Sequence, residues 1–307
     1  MPSVSDIFLA THRAAVLDGG LATELERRGA DISGALWSAA LLVSQPELIR
    51  SVHEEYLAAG AQIITAAGYQ ASLQGFALQG IADGKRYLRR SVELAAQARE
   101  NFMARSVGQA KPLVAASAGN FGAFRADGSE YHGRYGVSAR DIAEVHARHV
   151  EIYAETEADL LCFETVPSAR EAEAICRVME QFPEIPWWAA FTARDASHIA
   201  DGTPTLDVAA MVREQPGAVA FGFNCLPPGL VAPLLESCGR HERCGFAVYP
   251  NLGAAWDPET RKWSGGKQGF QTEFAAKWAD AGAVVIGGCC GTTPQNIRQL
   301  EQCLRLR

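Results

Sequence analysis

The stretch AVVIGGCCGTTP, residues 283–294, contains one complete strand-to-helix junction. Ala283–Ile286 is a short apolar, β-branched run, and two glycines then carry the chain to adjacent cysteines, Cys289 and Cys290. Thr293 and Pro294 supply an N-cap and a first-turn proline, so a helix is predicted to open there, with Ile297, Leu300 and Leu304 on one face. A second junction, AVAFGFNCLPP, ends its apolar run in Cys225. Thiols that end two strands on the same face of a barrel can hold a soft metal. Three protein ligands around zinc leave a fourth position open to substrate.

Six more apolar runs repeat the pattern: 14–18, 61–67, 112–118, 158–165, 186–192 and 245–251, with 218–224 and 283–288 completing eight. Runs that are apolar nearly throughout are expected where both faces of a parallel sheet are covered. Between them lie helical patterns. Ser44 with Pro46 and Glu47 predicts a helix start that Gly60 closes, and Ser168 with Glu171 predicts another. Further helices are expected over roughly 86–105, 138–157, 205–215, 229–238 and 271–281. Eight strand-then-helix units predict an α/β chain folded as one (β/α)8 barrel over residues 1–307. A doubly wound sheet is the competitor, but no G-x-G-x-x-G follows the first strand.

The bulk numbers narrow the function. The 307 residues are 48% hydrophobic, and 28 basic against 35 acidic residues give a net charge of −7. An acidic chain with no basic run is a poor partner for nucleic acid or an anionic membrane. No stretch approaches the roughly 18 apolar residues of a membrane span, and the N-terminal sequence lacks the features of a secretion signal. A cytoplasmic protein with reduced cysteines is expected, as a monomer or small homo-oligomer acting on small molecules.

Polar residues at strand C-termini of a barrel converge on one pocket. Here they are Asp18, Glu164, Asn224, Cys225, Asn251, Cys289 and Cys290. Two long segments, 119–136 and 252–269, follow strand ends on the same face. Asp18 and Glu164 suit either acid–base work or the capture of an ammonium group. The string Cys238, His241, Cys244 lacks a fourth ligand and is expected away from that face, while Cys162 and Cys176 read as core. His146 and His149 share a helical face with no evident partner, and are expected to be solvated.

The runs LDGGLATELERRG (17–29), LWSAALLVSQPELIRSVHEEYLAAGA (36–61), FRADGSEYHGRY (124–135), FET (163–165), GFNC (222–225), YPNLG (249–253) and GGCCGTTP (287–294) together resemble the homocysteine S-methyltransferase family. The resemblance spans nearly the whole chain. It implies a zinc ion, one per chain, on Cys225, Cys289 and Cys290, with Asp18 and Glu164 on the amino-acid end of homocysteine, Gly19 beside them, and Asn251 close to the metal. It also implies transfer of a methyl group from a sulfonium donor, S-methylmethionine or S-adenosylmethionine, to give methionine. The compact length leaves no room for the folate and cobalamin domains of larger relatives. Trp37 and Tyr69 could offer aromatic faces to a sulfonium. Two other classes fit the residues less completely: a non-catalytic zinc or redox thiol protein, and a barrel hydrolase using Asp18 and Glu164.

Overall fold

A computed structural model describes residues 14–125, 127–252, 255–257, 262–264 and 272–306. Eight parallel strands form one sheet: β1 (Ala15–Val16), β2 (Ile63–Thr65), β3 (Leu113–Gly119), β4 (Leu160–Val166), β5 (Trp187–Phe191), β6 (Ala218–Asn224), β7 (Gly245–Tyr249) and, after a small hairpin of β8 (Ala255–Asp257) and β9 (Lys262–Ser264), β10 (Ala283–Ile286). The order around the sheet is β1-β10-β7-β6-β5-β4-β3-β2. A parallel bridge from Leu17 to Ile63, with Asp18 N donating to Ile63 O at 3.1 Å, closes β1 onto β2. The molecule is a (β/α)8 barrel.

The continuous apolar runs are explained by their two covered faces. One set of side chains, among them Leu17, Ile63, Leu160, Cys162, Trp188, Tyr249 and Val285, fills the barrel interior. The alternate set, including Ile64, Val114, Leu161, Phe163, Phe221 and Phe246, packs outward against the helices. Each strand residue is therefore buried on whichever face it points to, so period-two alternation of polarity has no cause. Trp188 Nε1 donates to Tyr249 Oη at 3.2 Å within the interior, a packed floor below the strand C-termini.

The helix ends follow the sequence closely. Ser168 caps Ala169–Met179 by accepting from Glu171 N, and Thr293 forms a full capping box with Asn296 at Pro294–Arg305. One cap differs. Ser44 closes a short helix, Leu41–Ser44, and Gln45 is the N-cap of Pro46–Ala58. Ser44 Oγ donates back to the Ala40 carbonyl, a bond that serves a last turn as readily as a hydroxyl serves a first one. The short helices Leu21–Arg27 and Leu73–Leu78, each about two turns or less, lie in loops where no periodicity marks them. Among the described residues no helix is long and apolar enough to cross a membrane. The segment 252–269 lies mostly outside the described residues, apart from Leu252, β8 and β9.

Candidate active site

The ladder between β6, β7 and β10 continues past the formal strand ends and laces three loops together. Cys225 N donates to Tyr249 O at 3.3 Å, Asn251 N to Leu226 O at 2.9 Å, Cys289 N to Pro250 O at 2.8 Å, and Leu252 N to Cys290 O at 3.0 Å. These bonds draw residues more than sixty positions apart onto one rim. The Sγ atoms of Cys225, Cys289 and Cys290 all lie within 4.8 Å of one another, and all three residues are half-buried. The sulfurs of Cys289 and Cys290 are 3.9 Å apart, and Tyr131 Oη lies 3.8 Å from Cys225 Sγ. No other group of His, Cys, Asp or Glu among the described residues is placed to hold a metal.

The donor set suits a soft cation. Bonds from the Cys289 and Cys290 thiols push the Cys225 pKa well below its ordinary value, helped by Tyr131 and Asn251. The same contacts push Cys289 and Cys290 up. Asn251, half-buried beside them, has an Oδ1 with no partner among the described residues.

Behind the thiols stand the two carboxyls named from the sequence. Asp18 is 2% exposed, and accepts from Thr65 N at 2.8 Å and from Thr65 Oγ1 at 3.0 Å. Burial nonetheless pushes its pKa well above the ordinary carboxylate range, with Glu164 adding to the rise. Burial pushes Glu164 up to about 7 as well, although the Cys162 thiol donates to its Oε1 at 3.2 Å. Neither shift has a cation among its causes within the described residues, and a cation is what an ammonium group would supply.

Glu164 is held by a strained neighbour. Thr165 has φ +57°, a left-handed conformation costly for a β-branched residue. It persists because the side chain of Asn224, fully buried, both accepts from Thr165 N at 2.8 Å and donates to Thr165 Oγ1 at 3.0 Å, while Asn120 donates to Thr165 O at 2.9 Å. Asn224 thus shapes β4 instead of lining the pocket. Cys225 and Trp37 are also left-handed, at φ +55° and +48°, so all three non-glycine residues of this kind among those described belong to this rim or the loops above it.

Trp37 opens the turn Trp37–Ala40 and is half-buried; the next residue, Ser38, donates from N and Oγ to Gln70 Oε1, at 3.3 and 2.9 Å. That tie brings the Trp37 segment to Tyr69, whose Oη accepts from Asn120 Nδ2 at 3.3 Å. Gly19 sits against Tyr56 and the Thr292 carbonyl, where a Cβ would come within 2.7 Å of the carbonyl oxygen. Gly19 therefore makes room for the Cys289–Thr292 loop.

Sequence reasoning missed the loop 119–136 in detail and misread one pair of histidines. His146 and His149 are 1% and 5% exposed, not solvated. His146 Nε2 lies 2.8 Å from Glu171 Oε1, which also accepts from Phe121 N at 2.6 Å, while Tyr135 Oη donates to Oε2 at 2.6 Å. A wholly buried carboxylate thus anchors both ends of the loop that carries Glu130 and Tyr131. Helical spacing alone put the two histidines on one face, but that face is turned inward. Glu130 is 8% exposed, its pKa pushed up to about 7 by burial. The remaining cysteines behave as expected: Cys162, Cys176, Cys238 and Cys244 are buried and free, and Cys303 is half-buried.

The sequence pattern of the family described as Homocysteine S-methyltransferase matches residues 15–304. The chain belongs to the homocysteine S-methyltransferase family. It is 41% identical to homocysteine S-methyltransferase YbgG of Bacillus subtilis over 95% of each chain. It is 39% identical to a selenocysteine Se-methyltransferase of Brassica oleracea var. italica, covering 98% of this chain and 91% of that one. The metallated form of the homocysteine methyltransferase MmuM from Escherichia coli superposes with a TM-score of 0.85 at 40% identity, covering 94% of this chain and 96% of that one. The barrel and the enzyme class, read first from strand ends and motifs, are those of the family.

Proposed function

We propose that this barrel transfers a methyl group from a sulfonium donor to the sulfur of homocysteine, giving methionine, with one zinc ion on Cys225, Cys289 and Cys290. The observation that carries the proposal is the placement of three convergent thiols beside two carboxyls, Asp18 buried and Glu164 half-buried, both raised by burial and with no cation among the causes of either shift. When bound, zinc supplies acidity: a thiol of pKa near 8.5 is only a few per cent ionised at neutral pH, and a coordinating thiol is deprotonated outright. The chain's own residues do the rest. Asp18, already oriented by Thr65, and Glu164, fixed by Cys162 and by the pinned backbone of Thr165, hold the homocysteine ammonium and so set where its sulfur stands. Tyr131 and Asn251 both bond to the Cys225 sulfur and keep it from turning away. Trp37 and Tyr69 line the approach of the donor. No general base is required at the transfer itself, because the thiol proton would already be lost on coordination and the donor sulfur departs as a neutral thioether that takes up no proton.

A hydrolase using the two carboxyls would need one of them ionised and facing water, whereas both are raised together by burial. A closed thiol sensor would not need an amino-acid pocket. We take residues 1–307 as one substrate-binding barrel working on small molecules in the cytoplasm, as a monomer or small homo-oligomer. The test is incubation of reduced protein with homocysteine and S-methylmethionine, before and after metal removal, with methionine measured. Methionine formed only by the zinc-loaded protein supports the proposal; none from a sample shown to contain zinc would sink it for this donor, and S-adenosylmethionine would be tried next.

A further inference from the structure

The turn Ser129–Tyr131 presents two side chains to the rim: Tyr131 reaches Cys225 Sγ, and Glu130, its neighbour, is buried to 8% exposure. The Glu130 Oε2 has no hydrogen-bond partner among the described residues. The backbone N–H groups of Glu130 and Gly128 favour its charged form, but burial, Asp127 and the Cys225 thiol all act against it. A buried carboxylate in such surroundings is unfavourable unless a cation joins it. The position is not accidental. Gly122 packs so closely on the turn that a Cβ there would come within 2.6 Å of Glu130 N, and Asn120 Nδ2, which also reaches the Thr165 carbonyl, is 3.4 Å from the Glu130 carbonyl. The same scaffold therefore sets Glu130 and Glu164.

Three carboxyls then surround the thiols, and their partners differ. Asp18 is oriented by Thr65 and Glu164 by Cys162, whereas the Glu130 carboxyl takes backbone N–H groups of its own turn and leaves Oε2 without a partner among the described residues. Homocysteine brings one cation, its ammonium, to Asp18 and Glu164. The donor brings a second, its sulfonium, which has to reach the acceptor sulfur at the thiols, where Tyr131 stands against Cys225 and Glu130 is its neighbour in the turn. We propose that the Glu130 carboxylate is the counter-anion for the sulfonium of the methyl donor, so that Glu130 determines the preference for a cationic sulfur over a neutral thioether. The assignment rests on the methyl-transfer reading above.

The test compares S-methylmethionine with methionine, which has the same amino-acid end and a neutral sulfur. Calorimetric titration of the zinc-loaded wild type is expected to show S-methylmethionine bound about 10- to 100-fold more tightly than methionine, the range of one charge-assisted contact. In Glu130→Gln, which keeps shape and removes charge, that ratio should fall at least tenfold, with homocysteine affinity and zinc content unchanged. Glu130→Asp, which keeps the charge, should retain most of the preference, and it guards against a Gln variant that merely misfolds. An unchanged ratio in Glu130→Gln, an equal loss in Glu130→Asp, no preference in the wild type, or a loss confined to homocysteine would each overturn the assignment. Methionine formation measured alongside separates the two readings: a lost preference with methionine still formed overturns this assignment alone, whereas no methionine from zinc-loaded wild type overturns the methyl-transfer reading on which it rests.

Discussion

His146 and Glu171 meet at 2.8 Å with both side chains buried, and through Glu171 the helix Ala139–Ala154, the helix Ala169–Met179 and the loop after β3 are joined at one carboxylate. Phe121 N and Tyr135 Oη bond the same group from opposite ends of the loop. Removing the carboxylate leaves three buried donors without an acceptor. Glu171→Ala should therefore cost about 2–5 kcal/mol, well beyond an ordinary surface change. Denaturant unfolding measures it, and a cost under about 1 kcal/mol would show that the network does not hold the loop.

Cys225→Ser and Cys289→Ser each remove one of three convergent sulfurs. The loss of zinc affinity should exceed the roughly 10- to 100-fold typical of losing a group that only orients a ligand. Cys238→Ser, on the buried end of Val231–Cys238, should leave zinc content unchanged. Metal analysis after equilibrium dialysis separates the two outcomes. Full zinc retention in Cys225→Ser would refute the ligand assignment.

How much of this was legible depended on whether a signal was local. The strand Ala218–Asn224 was bounded to the residue because six apolar positions end in the polar pair Asn224 and Cys225, and the thiols were legible because the barrel brings every strand end to one rim. Asp18 and Glu164 followed from the same rule. The Glu171 network was hidden, since its members come from residues 121, 135, 146 and 171, and each alone reads as an ordinary polar or aromatic position. Asn224 was found but misplaced: a strand-end amide can face the pocket or a neighbouring strand, and only the left-handed Thr165 backbone shows which. Glu130 gave no local sign, because an acid in a polar loop reads as solvated until its burial is known.

Glu164, with its pKa pushed up to about 7, gives a pH dependence of definite sign. A neutral acid holds an ammonium poorly, so homocysteine affinity should rise as pH increases through about 7, with a proton released on binding at that pH. In the free protein the stability effect runs the other way. The folded group keeps its proton from its ordinary value of 4.5 up to about 7, so its contribution is full below that window and is lost as pH rises through it. Titrations in buffers of different ionisation enthalpy count the proton. Glu164→Gln should flatten both dependences, and a wild-type affinity that does not change between pH 6 and 8 would exclude this role.

Gly20 tests whether the rim is as tightly laced as the bonds imply. A Cβ on Gly20 would come within 2.5 Å of Thr23 Oγ1 and 2.6 Å of the Cys289 carbonyl oxygen. Thr23 Oγ1 in turn accepts from Gly291 N at 3.0 Å, so one methyl group would press on both sides of the Cys289–Cys290 loop. Backbone cannot yield as a flexible side-chain end can, and overpacking of this kind costs about 1–3 kcal/mol. Gly20→Ala should therefore weaken zinc binding while the barrel stays folded, because the strain falls on the loop and not on β10. Gly34→Ala, where nothing stands within 4 Å of the added Cβ, is the matched control and should change neither stability nor metal content. If Gly20→Ala bound zinc as tightly as the wild type, the loop would have room that the structure denies it, and the convergence of the three thiols would owe less to this packing than to the strand ladder alone.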